Sequence, residues 1–121
     1  MKTSVTWAWH LLAGVALAFL LCTHMFIMHL DDVFKFAGGD VAKAVSFAAV
    51  VDRGRQVSFM VTYILLLAAA LYHGLYGLRT VIFELTLAPR AEKAITTLFV
   101  VIGVALFVYG TVAAVSAYSL R

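Results

Sequence analysis

Three stretches without a single Asp, Glu, Lys or Arg constrain this chain more than anything else: Thr3–Leu30, Gln56–Leu78 and Ala94–Leu120. Each exceeds the roughly 20 apolar residues that a helix needs to cross the hydrocarbon core of a bilayer. With 64% hydrophobic and only 12% charged residues, the chain is far from the composition of a soluble domain. A chain of 121 residues also has too little interior to hide that much apolar surface in water. The expectation is an all-α membrane protein, one domain over residues 1–121, with transmembrane helices at about 3–30, 57–85 and 94–120. The net charge of +3 is small and scattered, which excludes a nucleic-acid footprint. Cys22 is the only cysteine, so no intrachain disulfide forms, and it reads as a small packing residue.

The N-terminal run stays apolar from Val5 to Leu30. That is longer than a signal-peptide core, and no small-x-small cleavage site follows it, so it reads as a mature helix ending at Asp31-Asp32. A loop then turns at Gly38-Gly39-Asp40, and Val41–Val51 suggests a short helix lying on the bilayer surface. Asp52, Arg53 and Arg55 mark the membrane edge before the second helix, whose last turns carry Arg79 and Glu84 within snorkelling reach of water. Pro89 followed by Glu92 signals a third helix start. With the N-terminus inside, the inner side carries Lys2, Arg79, Arg90 and Lys93, and the outer side Lys35, Lys43, Arg53, Arg55 and Arg121. The positive-inside count therefore does not fix orientation, and only the basic loop between helices II and III leans towards an inside N-terminus. Small residues recur at Gly14, Ala18 and Cys22, at Ala69 and Gly77 around His73, and at Gly103 and Gly110. Such stripes let helices or flat ligands approach closely.

Histidines inside spans are the functional candidates, because ionisable groups at membrane depth are costly. His73 has Ala69 and Gly77 one turn away on its own face, which leaves a flat recess suited to the edge of a haem. Arg79, roughly 9 Å further along, is placed to reach a haem propionate. The other reading of His73 is a buried histidine hydrogen-bonded to a neighbouring helix. His24 lies deep in helix I, whereas His10 and His29 sit near its ends as interfacial side chains. His24 lies roughly 28 Å along its antiparallel helix and His73 about 9 Å from the Arg79 end. The two thus occupy opposite leaflets and cannot share a metal. If both are ligands, there are two centres, each drawing its second ligand from another chain. That pattern fits bis-histidine haem b and fits poorly with zinc or copper, which want clustered ligands. No Cys-x-x-Cys-His is present, which excludes covalent haem c.

The segment His73-Gly74-x-x-Gly77-Leu78-Arg79-Thr80, followed by Glu84, resembles the His-Gly-x-x-Gly-x-Arg-Thr…Asp-Tyr signature of a known family. This is the small membrane-anchor subunit of succinate dehydrogenase of the kind with two anchor polypeptides and two b haems. Trp7, Gly14 and Thr23-His24-Met25-Phe26 are similar to its Trp…Arg-x-Ser-Gly…Gly-His-Leu-Phe pattern, so the likeness covers about Trp7–Leu85. The resemblance implies half of a haem-binding bundle, completed by a second membrane-anchor subunit. It implies His73 as axial ligand of the haem nearer the hydrophilic subunits and His24 as ligand of the distal one. It further implies an iron–sulfur subunit with its clusters, a flavoprotein subunit with covalent FAD, and electron transfer to quinone. The setting would be a bacterial or archaeal cytoplasmic membrane with the N-terminus inside. The chain alone would carry no succinate chemistry.

Two departures bear on the quinone site. The family's Arg and Ser before the helix I glycine are Leu11 and Ala13 here, and its acidic-Tyr pair is Glu84-Leu85. Quinone would then bind mainly on the partner anchor, or in a modified pocket lined by Trp7, His10 and Arg79. Tyr76 and His29 are further candidates for propionate or quinone contact. Three alternatives stand beside this reading: an anchor of a quinol:fumarate reductase, a proton-relay subunit, and a haem-free structural anchor. The relay would want more intramembrane carboxylates than Glu84 alone.

Overall fold

The computed structural model describes residues 2–36 and 46–119, with side chains of 4–29, 36 and 46–119. Four helices follow one another: α1 (Lys2–Phe36), α2 (Phe47–Gly54), α3 (Val57–Phe83) and α4 (Pro89–Ser119). Among the described residues, Ser4–His29, Val57–Phe83 and Pro89–Ser119 are long and apolar enough to cross a membrane. The expected all-α membrane architecture is therefore observed. The 26 residues of the first segment extend about 39 Å as helix, more than the roughly 30 Å hydrocarbon core.

α1 continues beyond Asp31-Asp32 to Phe36, where sequence reading ended it. Charges end the apolar span, but they do not break a helix, since aspartate only modestly lowers helix propensity. The Gly38-Gly39-Asp40 turn and residues 41–45 lie outside the described residues. Of the expected surface helix, Phe47–Gly54 is present and starts at Ser46, whose hydroxyl accepts a hydrogen bond from the Ala49 amide at 3.4 Å. This capping satisfies one of the four orphan donors of a helix N-terminus. α2 packs against α3 and α4, with Gly54 so close to Ala117 that an added Cβ would sit 3.3 Å away. Phe47 is left exposed. The α3–α4 turn holds Thr86 at φ 49°, a left-handed conformation unusual for a β-branched residue. Pro89 then opens α4, where its missing N–H is no loss, and Glu92 in the first turn suits the positive end of the helix dipole.

α3 is the central helix, packed against α1 on one side and α4 on the other, with no direct α1–α4 contact among the described residues. Gly103 and Gly110 of α4 receive Leu75 and Leu67 of α3. Only Ala69 is buried among the described residues, while Phe19, Val15 and Tyr109 are mostly exposed. An apolar exterior around so small an interior is the surface of a chain that lipid and neighbouring helices must cover. The small-residue stripe of α1 reaches α3 only at Gly14, because Ala18 and Cys22 face outward. Each four-residue step overshoots a full turn by about 40°, so the stripe rotates off the contact. Cys22 is thus exposed and free and does not pack between these helices.

Candidate functional site

α1 and α3 run antiparallel, with Thr6 opposite Tyr72 and Tyr76, His10 opposite His73, and His24 opposite Tyr63. At the middle level each helix presents the same pattern, His10-x-x-x-Gly14 on α1 and His73-x-x-x-Gly77 on α3. The two patterns clasp. The His73 ring turns its Cε1 edge to Gly14, where a Cβ would meet Cε1 at 2.8 Å, and the His10 ring turns its Cε1 edge to Gly77, where a Cβ would meet Cε1 at 3.3 Å. Between the helices the two imidazoles stack, with centroids 4.3 Å apart and planes 5° from parallel.

Nδ1 of His73 donates to the His10 carbonyl at 3.2 Å. A carbonyl only accepts, so Nδ1 carries the proton, and the basic lone pair belongs to Nε2. This is the usual way in which a protein sets the tautomer of a metal-binding histidine. The neutral-ligand and hydrogen-bonded readings of His73 are therefore compatible, since one ring nitrogen serves each. The recess beside Gly77, expected to stand open for a haem edge, is instead filled by His10. His10, expected near the membrane interface, packs against α3: it is half-buried, and its Nδ1 is buried without a hydrogen-bond partner among the described residues. Tyr76 leans on the His10 ring at 5.0 Å between centroids and donates from its hydroxyl to Thr6 Oγ1 at 3.3 Å.

Arg79 turns away from this pair. Its Nε donates to Thr96 Oγ1 of α4 at 2.9 Å, and its guanidinium covers the Phe83 ring at 4.2 Å. Between α3 and α4 runs an open, largely apolar groove of about 720 Å³, bordered at one end by Arg79, Thr96, Tyr76 and Thr6 and reaching past Leu75 and Gly103 to Phe107. Trp7 is exposed and makes no ring contact among the described residues, and the lining of the α3–α4 groove includes Arg79 without Trp7 or His10.

His24 occupies a second level, ten residues of α3 or about 15 Å from the first. Its ring meets Tyr63 edge-on at 5.6 Å beside a recess of about 200 Å³ formed with Met28, Ser58 and Thr62. Here the opposing surface is Phe59 and Tyr63, with no glycine to admit a flat group. His29, exposed, sits further out along α1. Among the described residues no three His, Cys, Asp or Glu side chains converge as an ion site. A single axial imidazole is a different donor set, and His73 fits it.

Three spanning helices, with histidines held at two depths on facing helices, define a multi-pass integral membrane subunit. Residues 1–115 match the family described as succinate dehydrogenase/fumarate reductase transmembrane subunit, and the chain belongs to that family. It is similar to a protein of Archaeoglobus fulgidus named succinate dehydrogenase hydrophobic membrane anchor subunit, at 26% identity over 106 residues, 88% of this chain and 83% of the relative. A Thermoplasma acidophilum protein of the same name is 26% identical over 101 residues, 84% of this chain and 76% of the relative. No solved structure matches.

Proposed function

We propose that the chain is a cytochrome b membrane anchor of a succinate:quinone oxidoreductase. In this reading His73 and His24 each supply one axial ligand to a b haem, and electrons pass from an iron–sulfur subunit towards quinone. The observation that carries it is the His73 ring, with Nδ1 tied to the His10 carbonyl over Gly14 and Nε2 left with the ligand lone pair. A haem there would supply one-electron chemistry tuned by axial ligand and burial. The protein's own part is to orient the imidazole, to keep the flanking volume small at Gly14 and Gly77, and to surround it with apolar helix.

The family membership supports association with catalytic subunits, here an iron–sulfur protein and a flavoprotein carrying FAD. A second membrane-anchor subunit would complete each haem's ligand pair and cover the exposed helix faces. Arg79, Tyr76 and the groove they border suit a propionate or a quinone head group, whereas His29 lies about 34 Å further along α1 than Thr6 and does not reach it. The setting would be a cytoplasmic membrane, N-terminus inside. The alternative within the same family is the anchor of a quinol:fumarate reductase, which midpoint potentials and the associated quinone would distinguish.

His73→Ala in the assembled complex should remove one haem and leave the other partly bound. An unchanged pyridine-haemochrome content would refute His73 as a ligand.

A further inference from the structure

We propose that His10 is a positioning residue for the imidazole of His73, whose ring plane it fixes by face-to-face stacking; this rests on His73 being a haem ligand. Two things determine how an imidazole presents its Nε2: rotation about the ring's own axis and the tilt of its plane. The bond from Nδ1 to the His10 carbonyl restrains the first. The second is held by the parallel His10 ring 4.3 Å away on one face, while the close approach of Gly14 to Cε1 and Nδ1 limits movement at that edge of the ring.

His10 is itself held by packing contacts. Its buried Nδ1 has no hydrogen-bond partner among the described residues, so hydrogen bonding does not dictate its orientation. Gly77 receives it as Gly14 receives His73, and Tyr76 backs it at 5.0 Å. The clasp is reciprocal, so each ring is the other's wall. Planar rings 5° from parallel transmit orientation in a way that an aliphatic side chain of similar bulk does not, because only a flat face defines a plane.

In a bis-imidazole ferric haem the low-spin g values depend on the angle between the two axial ring planes, so turning the plane of one ligand shifts them. Substituting His10 changes the side chain but leaves its backbone carbonyl in place, so the Nδ1 bond survives and only the stack is tested. His10→Phe keeps a planar face, and His10→Leu keeps bulk without one. In the assembled complex, electron paramagnetic resonance should show the largest g value of one haem unchanged in His10→Phe and shifted, with a broadened line, in His10→Leu. Haem content, read by absorbance, should stay at the wild-type level in both. Equal signals in wild type, Phe and Leu variants would overturn the proposal, as would an equal shift in both variants. A wild-type complex without haem would instead overturn the underlying reading, and absorbance alone tells that case apart.

Discussion

Gly14→Ala is the substitution whose outcome the geometry specifies most closely. The new Cβ would sit 2.8 Å from His73 Cε1 and 3.0 Å from Nδ1, so the ring must retreat by about 0.6 Å to regain ordinary van der Waals contact. His73 is attached to α3 and backed by His10, so the retreat has to separate the helices or tilt the ring. Moving Nδ1 that far from the His10 carbonyl takes a 3.2 Å bond beyond hydrogen-bonding distance, a loss of about 0.5–1.5 kcal/mol. Overpacking adds about 1–3 kcal/mol. Against this, alanine gains about 1 kcal/mol of helix propensity over glycine. Gly74→Ala isolates that gain, since a Cβ there meets nothing within 4 Å. The propensity terms cancel between the two variants, which leaves Gly14→Ala less stable than Gly74→Ala by about 1.5–4.5 kcal/mol. Thermal unfolding of the detergent-solubilised protein, with haem absorbance followed in the same samples, should rank Gly74→Ala above Gly14→Ala and show haem loss only in the latter. Indistinguishable melting and haem content would refute the clasp.

His24→Ala should diminish a haem spectral component different from the one lost in His73→Ala, because Tyr63, which faces His24, lies about 15 Å along α3 from His73. Loss of the same component in both variants, read by redox-titrated absorbance, would contradict two separate levels. Arg79→Ala should lower the melting temperature through loss of the Thr96 bond and the Phe83 contact, by about 1 kcal/mol at this half-buried site. Arg79→Lys should not restore it, as an ammonium has no planar face to lay on the ring. Thr86→Gly should stabilise the α3–α4 turn by about 0.5–1 kcal/mol, the relief of left-handed strain less the glycine's unfolded-state entropy, and a lower melting temperature would count against strain at φ 49°.

The three spans were legible because absence of charge over a bilayer's thickness has one structural outcome. Their helix ends were less so. α1 passes through Asp31-Asp32 because desolvation limits the span and not the helix, whereas the start of α4 at Pro89, five residues before its charge-free run, was signalled by Pro89 and Glu92. The two depths of His24 and His73 followed from counting along antiparallel helices. Pairing of His10 with His73 did not follow, since it depends on the register and rotation of α1 against α3, which no single-helix pattern contains. A signal was nevertheless present. The same His-x-x-x-Gly spacing stands on both helices, and in an antiparallel pair such a motif can meet its own copy, ring on glycine. The outward faces of Ala18 and Cys22 escaped for the complementary reason: a four-residue stripe drifts around a straight helix.

Haem b per flavin in the purified, intact complex is the measurement to make first. His73 and His24 as ligands at separate depths predict two haems for each covalent flavin. One haem would reduce His24 to a packing residue against Tyr63. No haem would contradict the assignment of His73, leaving the stacked histidines as a purely structural clasp between α1 and α3.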